Sequence, residues 1–318
     1  MSGKSRSILK ISDLTKDEII KIMNCANEIK KTPSLFKDRC SQQTLLMLFE
    51  KPSLRTRVSF ETGMTQMGGH AIFYSVADSP LGKKETISDT AKVLSRMVDV
   101  VMARLNKRED MRELALNSTI PVINALDDFA HPCQMLADLQ TIIEKKGKFD
   151  NITLAYAGDL RNNVTYDLMR LGSVMGFAVN VSGPTGKGYE IEEEVLAECH
   201  TLCAVSGGVV RVFPNVADAV RGADVVYCDS WMSYGIPSSL AETRRATFLP
   251  FQINAERFAL AKPDAIFMNC LPATRGDEQT ADVIDGPRSV VFDQAENRLH
   301  AQKALLLFLL AKNMSGTV

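Results

Sequence analysis

Short apolar runs rich in β-branched residues alternate with longer mixed stretches along nearly the whole chain. The runs are Thr44–Phe49, Ala71–Ser75, Val98–Leu105, Pro121–Leu126, Ile152–Ala157, Ala178–Ser182, Val209–Phe213, Asp224–Cys228 and Ala265–Leu271. Continuous apolar runs of this length suit strands covered on both faces, as in a parallel sheet. Between them, apolar residues recur at helical spacing over Ser59–Met67, Ile87–Arg96, Pro132–Lys145 and Asn163–Met175. Strand followed by crossover helix predicts an α/β protein built on parallel sheets flanked by helices. No internal repeat of solenoid length and no low-complexity tract interrupts the pattern.

The polar stretch Lys145-Lys146-Gly147-Lys148-Phe149-Asp150 separates two such blocks. It predicts one domain over residues 1–146 and a second over 147–294, with a last apolar helix, Ala295–Lys312, returning within 295–318 to pack on the first. A length of 318 residues fits two domains better than one. In open parallel sheets, ligands gather at the carboxyl ends of the strands. The residues that follow each strand are therefore the informative ones.

Composition narrows the partners. Apolar residues make up 45% of the chain and the formal net charge is −1, so no chain-wide attraction to nucleic acid or acidic membranes is expected. Anion recognition must come from local clusters. No apolar run reaches the roughly 20 residues of a membrane span, and the first residues carry charge without an apolar core, so no signal peptide is expected. Seven cysteines are scattered without framework spacing, which predicts reduced thiols and a cytoplasmic location. Cys199, His200 and Cys203 resemble metal ligands in type, but the two cysteines stand four apart in a helical pattern and read as helix positions.

Thr44–Phe49 is followed by Glu50-Lys51-Pro52-Ser53-Leu54-Arg55-Thr56-Arg57 and then a helix. A serine opening a helix caps free amides, and the positive end of the helix dipole favours an anion. Two arginines and two hydroxyls there add donors whose geometry suits phosphate. A capped helix with solvated arginines would give the same local sequence. Arg104 closes the strand Val98–Leu105, where a charge points to the ligand crevice more often than a random surface arginine does. After Pro121–Leu126, His131 stands at a helix start with Pro132 in the first helical position. The helix dipole disfavours protonation of such a histidine, and a neutral imidazole can donate to a carbonyl oxygen, while Gln134 can bind an amide. A capping histidine alone would also explain that position.

Ser53-Leu54-Arg55-Thr56-Arg57 together with His131-Pro132-Cys133-Gln134 resembles the paired signature of the aspartate/ornithine carbamoyltransferase family. The resemblance runs from about residue 7 to 312, with motifs in family order. It implies that Ser53, the Leu54 amide, Arg55 and Thr56 bind the phosphate of carbamoyl phosphate and that Arg57 closes on it. It implies further that Arg104, His131 and Gln134 hold the carbamoyl group, with Arg298 of Ala295-Glu296-Asn297-Arg298 reaching its oxygen.

Three later segments bear on the acceptor. Ala157-Gly158-Asp159-Leu160-Arg161-Asn162-Asn163 lacks the glycines of a dinucleotide loop, which counts against a nicotinamide-dependent dehydrogenase. It looks like the strand-end motif of the ornithine members, which implies a contact from Asn163. In Asp229-Ser230-Trp231-Met232-Ser233-Tyr234-Gly235, a carboxylate suits an ammonium group, and Ser233 with loop amides suits a carboxylate. The segment is similar to the acceptor loop of those members, with Tyr234 where methionine is usual. Asn269-Cys270-Leu271-Pro272 stands where they carry His-Cys-Leu-Pro and where the aspartate members usually have Pro-Leu-Pro, so Cys270 favours ornithine, and the resemblance implies an ornithine contact from Leu271 beside it. Asn269 can keep a hydrogen bond but cannot titrate near neutrality.

The resemblance thus implies carbamoyl transfer to ornithine without metal or organic cofactor, with Arg104, His131, Arg298, Asp229 and Cys270 nearest the chemistry. Aspartate, putrescine or acetylornithine as acceptor, or a catalytically dead phospho-ligand-binding regulator, are the alternatives. The loop Ser79–Thr86, with Pro80, Gly82, Lys83 and Lys84, crosses to a neighbouring site in relatives, which implies a homotrimer with shared sites.

Overall fold

The computed structural model describes residues 6–78, 84–232, 236–311 and 314. Among the described residues, nine strands alternate with helices: β1 Thr44–Phe49, β2 His70–Ser75, β3 Val100–Arg104, β4 Val122–Leu126, β5 Thr153–Ala157, β6 Ala178–Ser182, β7 Val209–Phe213, β8 Val225–Cys228 and β9 Ile266–Met268. The helices are α1 Lys16–Lys31, α2 Leu54–Gln66, α3 Ile87–Leu94, α4 Arg108–Asn117, α5 Pro132–Lys146 and α6 Asn163–Met175. They continue as α7 Glu193–Ser206, α8 Val216–Val220, α9 Ala241–Phe248, α10 Ala255–Phe258, α11 Ala281–Ile284 and α12 Val291–Leu309. Each predicted strand is present. The chain divides into two compact units, residues 1–140 with 296–318, and 141–295. The first division falls inside α5, ahead of the polar stretch that the sequence marks.

In the first unit, four parallel strands lie in the order β2-β1-β3-β4. The core pairs Leu46, Leu48, Val101, Ala103 and Val122 of the sheet with Ala91, Met111 and Leu114 of α3 and α4. Chain order reverses at β1, which has β2 on one side and β3 on the other. Open parallel sheets hold ligands at such a switch point, and at the carboxyl ends of β1 and β3 Phe49 stands beside Arg104 in register. α12 returns to this unit: Arg298 bonds Thr56, Gln302 bonds Ser59, and Lys30 of α1 bonds Asn297.

The second unit holds five parallel strands in the order β7-β6-β5-β8-β9. Its core joins Ala155, Ala157, Val226 and Phe267 to Val216, Val220, Phe258, Val283 and Ile284. Here the switch lies at β5, with Ala157 of β5 facing Cys228 of β8. Gly183, after β6, lies against the Gly158 carbonyl, where an added Cβ would sit 2.1 Å away, so only glycine lets the β5 loop pass.

Among the boundaries that differ from the sequence pattern, two bear on the site. α2 starts at Leu54, ahead of the periodic stretch from Ser59 and directly after the capping serine, because the Ser53 Oγ caps the Thr56 amide at 3.4 Å. β9 stops at Met268, although the apolar run continues to Leu271. Leu271 adopts φ 56°, and its amide is taken by the Asn269 side chain instead of a sheet partner.

Candidate functional site

Ser53, Arg55, Thr56, Arg104, His131, Gln134 and Arg298 gather on the first unit, and Asp229 with Cys270 on the second. In the first, Ser53 caps α2 and its hydroxyl donates to Thr56 Oγ1 at 3.1 Å. Thr56 is fully buried and also accepts from the Arg298 guanidinium at 3.1 Å. The same guanidinium donates to Gln134 Oε1 at 2.9 Å and to Gln302 Oε1 at 2.8 Å. Gln134 is held in turn by Asp138 at 2.8 Å. Leu54 turns its side chain to solvent, so its amide at the helix start is the polar group it offers there. Arg55 is half-buried and close enough to His131 to act on it electrostatically. Arg57 stands apart: its Nε donates to Glu61 at 3.0 Å and its guanidinium lies 3.8 Å over the Phe73 ring.

Asp127 builds the turn that delivers His131. Its carboxylate accepts from the Phe129 and Ala130 amides at 2.8 and 2.7 Å. His131 is buried, and burial first, then the cations of Arg298, Arg104 and Arg55, hold its pKa well below the ordinary value. A neutral imidazole among three guanidiniums is an anion cradle that keeps a hydrogen-bond donor without adding charge.

The depressed pKa sets a stability test. Below about pH 6.5 an unfolded histidine binds a proton that the native His131 refuses, so the unfolded state gains protons first. His131 therefore subtracts stability as pH falls below about 6.5, by at most about 1.4 kcal/mol per pH unit. In thermal unfolding at pH 7.5 and 5.5, His131→Gln is expected to lose less stability on acidification than the parent. An unchanged acid slope would show that the imidazole is not held neutral.

In the second unit, Asp229 follows β8 and is buried. Its carboxylate accepts from the Cys270 thiol at 3.1 Å and from the Asn162 amide at 3.2 Å. Burial pushes its pKa up, and those hydrogen bonds oppose the shift. Asn162 rather than Asn163 caps α6, taking the Val164 amide at 2.7 Å, while Asn163 lies half-buried in its first turn. Leu271 and Cys270 are both half-buried. Ser233 and Tyr234 lie outside the described residues, as do Ser79–Lys83 of the expected shared loop; Lys84 is exposed and Thr86 caps α3.

Several participants escape the sequence reading. Lys51 is nearly buried, and burial together with Arg104 lowers its pKa, which places a fourth cation beside the first cluster. Trp231 is held from three sides in the second unit. Its amide donates to Glu278 at 3.3 Å, its carbonyl accepts from Arg244 at 2.7 Å, and its ring stacks on Phe248 at 5.8 Å. Arg244 also pairs with Asp159 at 2.5 Å, tying the β5 loop to the β8 loop. Glu278 accepts the Thr274 amide at 2.9 Å, and burial pushes its carboxyl up to about 7. The N-cap rule applied to the Asn162-Asn163 pair would have found Asn162. No local signal marks Arg244 or Glu278.

Cys199 and Cys203 lie on α7, where the Cys203 thiol donates to Ser173 at 3.3 Å. Among the described residues, no group of three or more His, Cys, Asp or Glu is arranged to hold a metal ion. No helix among them is long and apolar enough to cross a membrane.

Comparison with known proteins supplies the context. The family model for the aspartate/ornithine carbamoyltransferase carbamoyl-P binding domain matches residues 6–144, and that for the Asp/Orn binding domain matches residues 150–309. An ornithine carbamoyltransferase of Thermococcus kodakarensis is 47% identical over 312 residues, 98% of each chain. The solved ornithine carbamoyltransferase of Pyrococcus furiosus superimposes with a TM-score of 0.91 at 47% identity, covering 98% of this chain and 99% of that one. The ornithine transcarbamoylase structure from Giardia lamblia gives 0.89 at 46% identity, covering 96% and 98%.

Proposed function

The chain belongs to the aspartate/ornithine carbamoyltransferase family, and on that premise we propose that it transfers the carbamoyl group of carbamoyl phosphate to the δ-amine of ornithine. The products are citrulline and phosphate. The observation that carries the reading is Arg298, whose one guanidinium joins Thr56 at the phosphate-binding helix start to Gln134 beside the neutral His131. The choice of ornithine is supported by the Asp229–Cys270 pair at 3.1 Å and by the names of the relatives.

Ser53, the Leu54 amide, Arg55 and Thr56 hold the phosphate, and Arg57 joins them by leaving Glu61 and Phe73. The neutral δ-amine attacks the carbamoyl carbon, a C–N bond forms, and negative charge gathers on the carbamoyl oxygen. Arg104, His131, Arg298 and Thr56 are the donors for that oxyanion. The C–O bond to phosphate then breaks, and the departing phosphate takes the electron pair against Ser53, Arg55 and Arg57. Asp229 and Cys270 orient the amine and help take its proton, while Asn163, Ser233, Tyr234 and Leu271 line the rest of the acceptor. Carbamoyl phosphate labelled with ¹³C should pass its label to citrulline with one phosphate released per label. Phosphate release without labelled citrulline would end the assignment.

We place the enzyme in the cytoplasm, in keeping with its seven free thiols, and in a homotrimer that shares the Ser79–Thr86 loop between neighbouring sites. The apolar side chains of Ile72, Phe73 and Tyr74 on the edge strand β2, with Leu54 and Val58 on α2, are exposed and support an interface there. Mixing an inactive Arg55→Ala variant with an inactive Lys83→Ala/Lys84→Ala variant should restore part of the activity, because some sites then receive two intact halves. No recovery would mean that each chain is complete alone.

A further inference from the structure

β9 gives way to a segment organised by side-chain amides. Asn269 is fully buried. Its backbone N–H donates to Gln294 Oε1 at 3.0 Å, and its Nδ2 donates to Gln279 Oε1 at 3.1 Å. Its Oδ1 accepts the Leu271 amide at 2.8 Å. The Cys228 thiol, at the end of β8, donates to the same Gln279 oxygen at 3.2 Å. Gln294 reaches back to the Tyr227 hydroxyl at 3.1 Å. The ends of β8 and β9 are thus joined by uncharged amides, although buried polar groups are costly unless satisfied in this way.

The bond from Asn269 to Leu271 spans two residues and closes an Asx turn. It secures Leu271 at φ 56°, in the left-handed region that a leucine rarely adopts without support. Cys270 is the residue enclosed by that turn. Its thiol direction follows from the turn, and it meets Asp229 at 3.1 Å. Gln279 fixes the other end of the Asn269 side chain, so a swing of that amide would release the turn and the thiol together.

We propose that Asn269 and Gln279 form a positioning pair that aims Cys270 at Asp229 and so orients the acceptor's amine. The proposal rests on the roles given to Asp229 and Cys270 above. Neither amide touches the reacting atoms in this scheme. Their effect is transmitted through the turn, and it should appear in turnover and thiol reactivity without weakening the phosphate end.

Asn269→Ala, the milder Gln279→Met and the double variant test it. Each would be checked for folding by circular dichroism, assayed with ornithine, and treated with iodoacetamide while alkylation of Cys270 is followed by peptide mass. The single variants should lower kcat about 10-fold or more, since a displaced reacting group can cost about 10²-fold, and leave KM for carbamoyl phosphate within about twofold. Cys270 should alkylate several-fold faster than in the parent, and the double variant should lose less than the product of the single losses, because both act through one turn. Parental kcat and alkylation rates in folded Gln279→Met would overturn the pair, as would an equal loss of carbamoyl phosphate affinity. If the parent enzyme made no citrulline, the function would fail, while the alkylation rates would still decide whether the pair aims the thiol.

Discussion

Arg55→Ala is expected to lower kcat/KM for carbamoyl phosphate by about two to three orders of magnitude, with little change in melting temperature. Arg55 is half-buried on the first turn of α2, whose N-terminal amides are available to the phosphate proposed there. A guanidinium matched to phosphate makes charge-assisted bonds about twice as strong as neutral ones. Removing one donor of a preorganised anion site costs about 10²–10³ in rate. The fold depends little on this residue, because the helix is capped by Ser53 and packed through Thr56, Ser59 and Phe60. Titration calorimetry with carbamoyl phosphate should show the same loss as the kinetics. Kinetics within about threefold of the parent would move the phosphate site elsewhere, since solvated arginines contribute little.

Asp229→Asn is expected to act on the other substrate. The change keeps the side chain's shape but removes the carboxylate that accepts from Cys270 and Asn162. With the charge gone, the ammonium partner and the path for the amine's proton are lost together. General acid–base contributions run to about 10²–10⁴, so kcat/KM for ornithine should fall within that range. KM for carbamoyl phosphate should stay within about threefold, because the role proposed for Asp229 is with the acceptor. A parallel loss for both substrates would show a misfolded variant or a different role for Asp229.

Much of the architecture is legible from hydrophobic patterning. Thr44–Phe49 and Ile152–Ala157 show as strands because parallel strands are covered on both faces and read as unbroken apolar runs. The switch points at β1 and β5 then locate the ligand ends, and both expected clusters begin there. Ser53 and Pro132 mark helix starts by local rules, so Thr56, His131 and Gln134 could be placed beforehand. Arg298 is different: it meets Thr56 across 242 positions of sequence, and only the family resemblance brought it in. The clamp on Trp231 shows the limit most clearly. Glu278 and Arg244 act on that residue's backbone, and a backbone partner leaves no trace in side-chain pattern. The end of β9 misled for a related reason, since the apolar run through Leu271 continues past the point where the Asn269 amide takes over from the sheet.

The central claim is that the second unit recognises ornithine as the acceptor. The most direct measurement is kcat/KM for ornithine, putrescine, aspartate and N-acetylornithine, each at saturating carbamoyl phosphate. A site built to pair a whole amino acid rejects analogues that leave its buried polar groups unpaired, by factors that reach about 10⁴–10⁵. Ornithine is expected to exceed each of the other three by at least about 10³. Comparable turnover of putrescine, aspartate or N-acetylornithine would contradict the assignment of the loop that starts at Asp229 to the amino-acid end of ornithine.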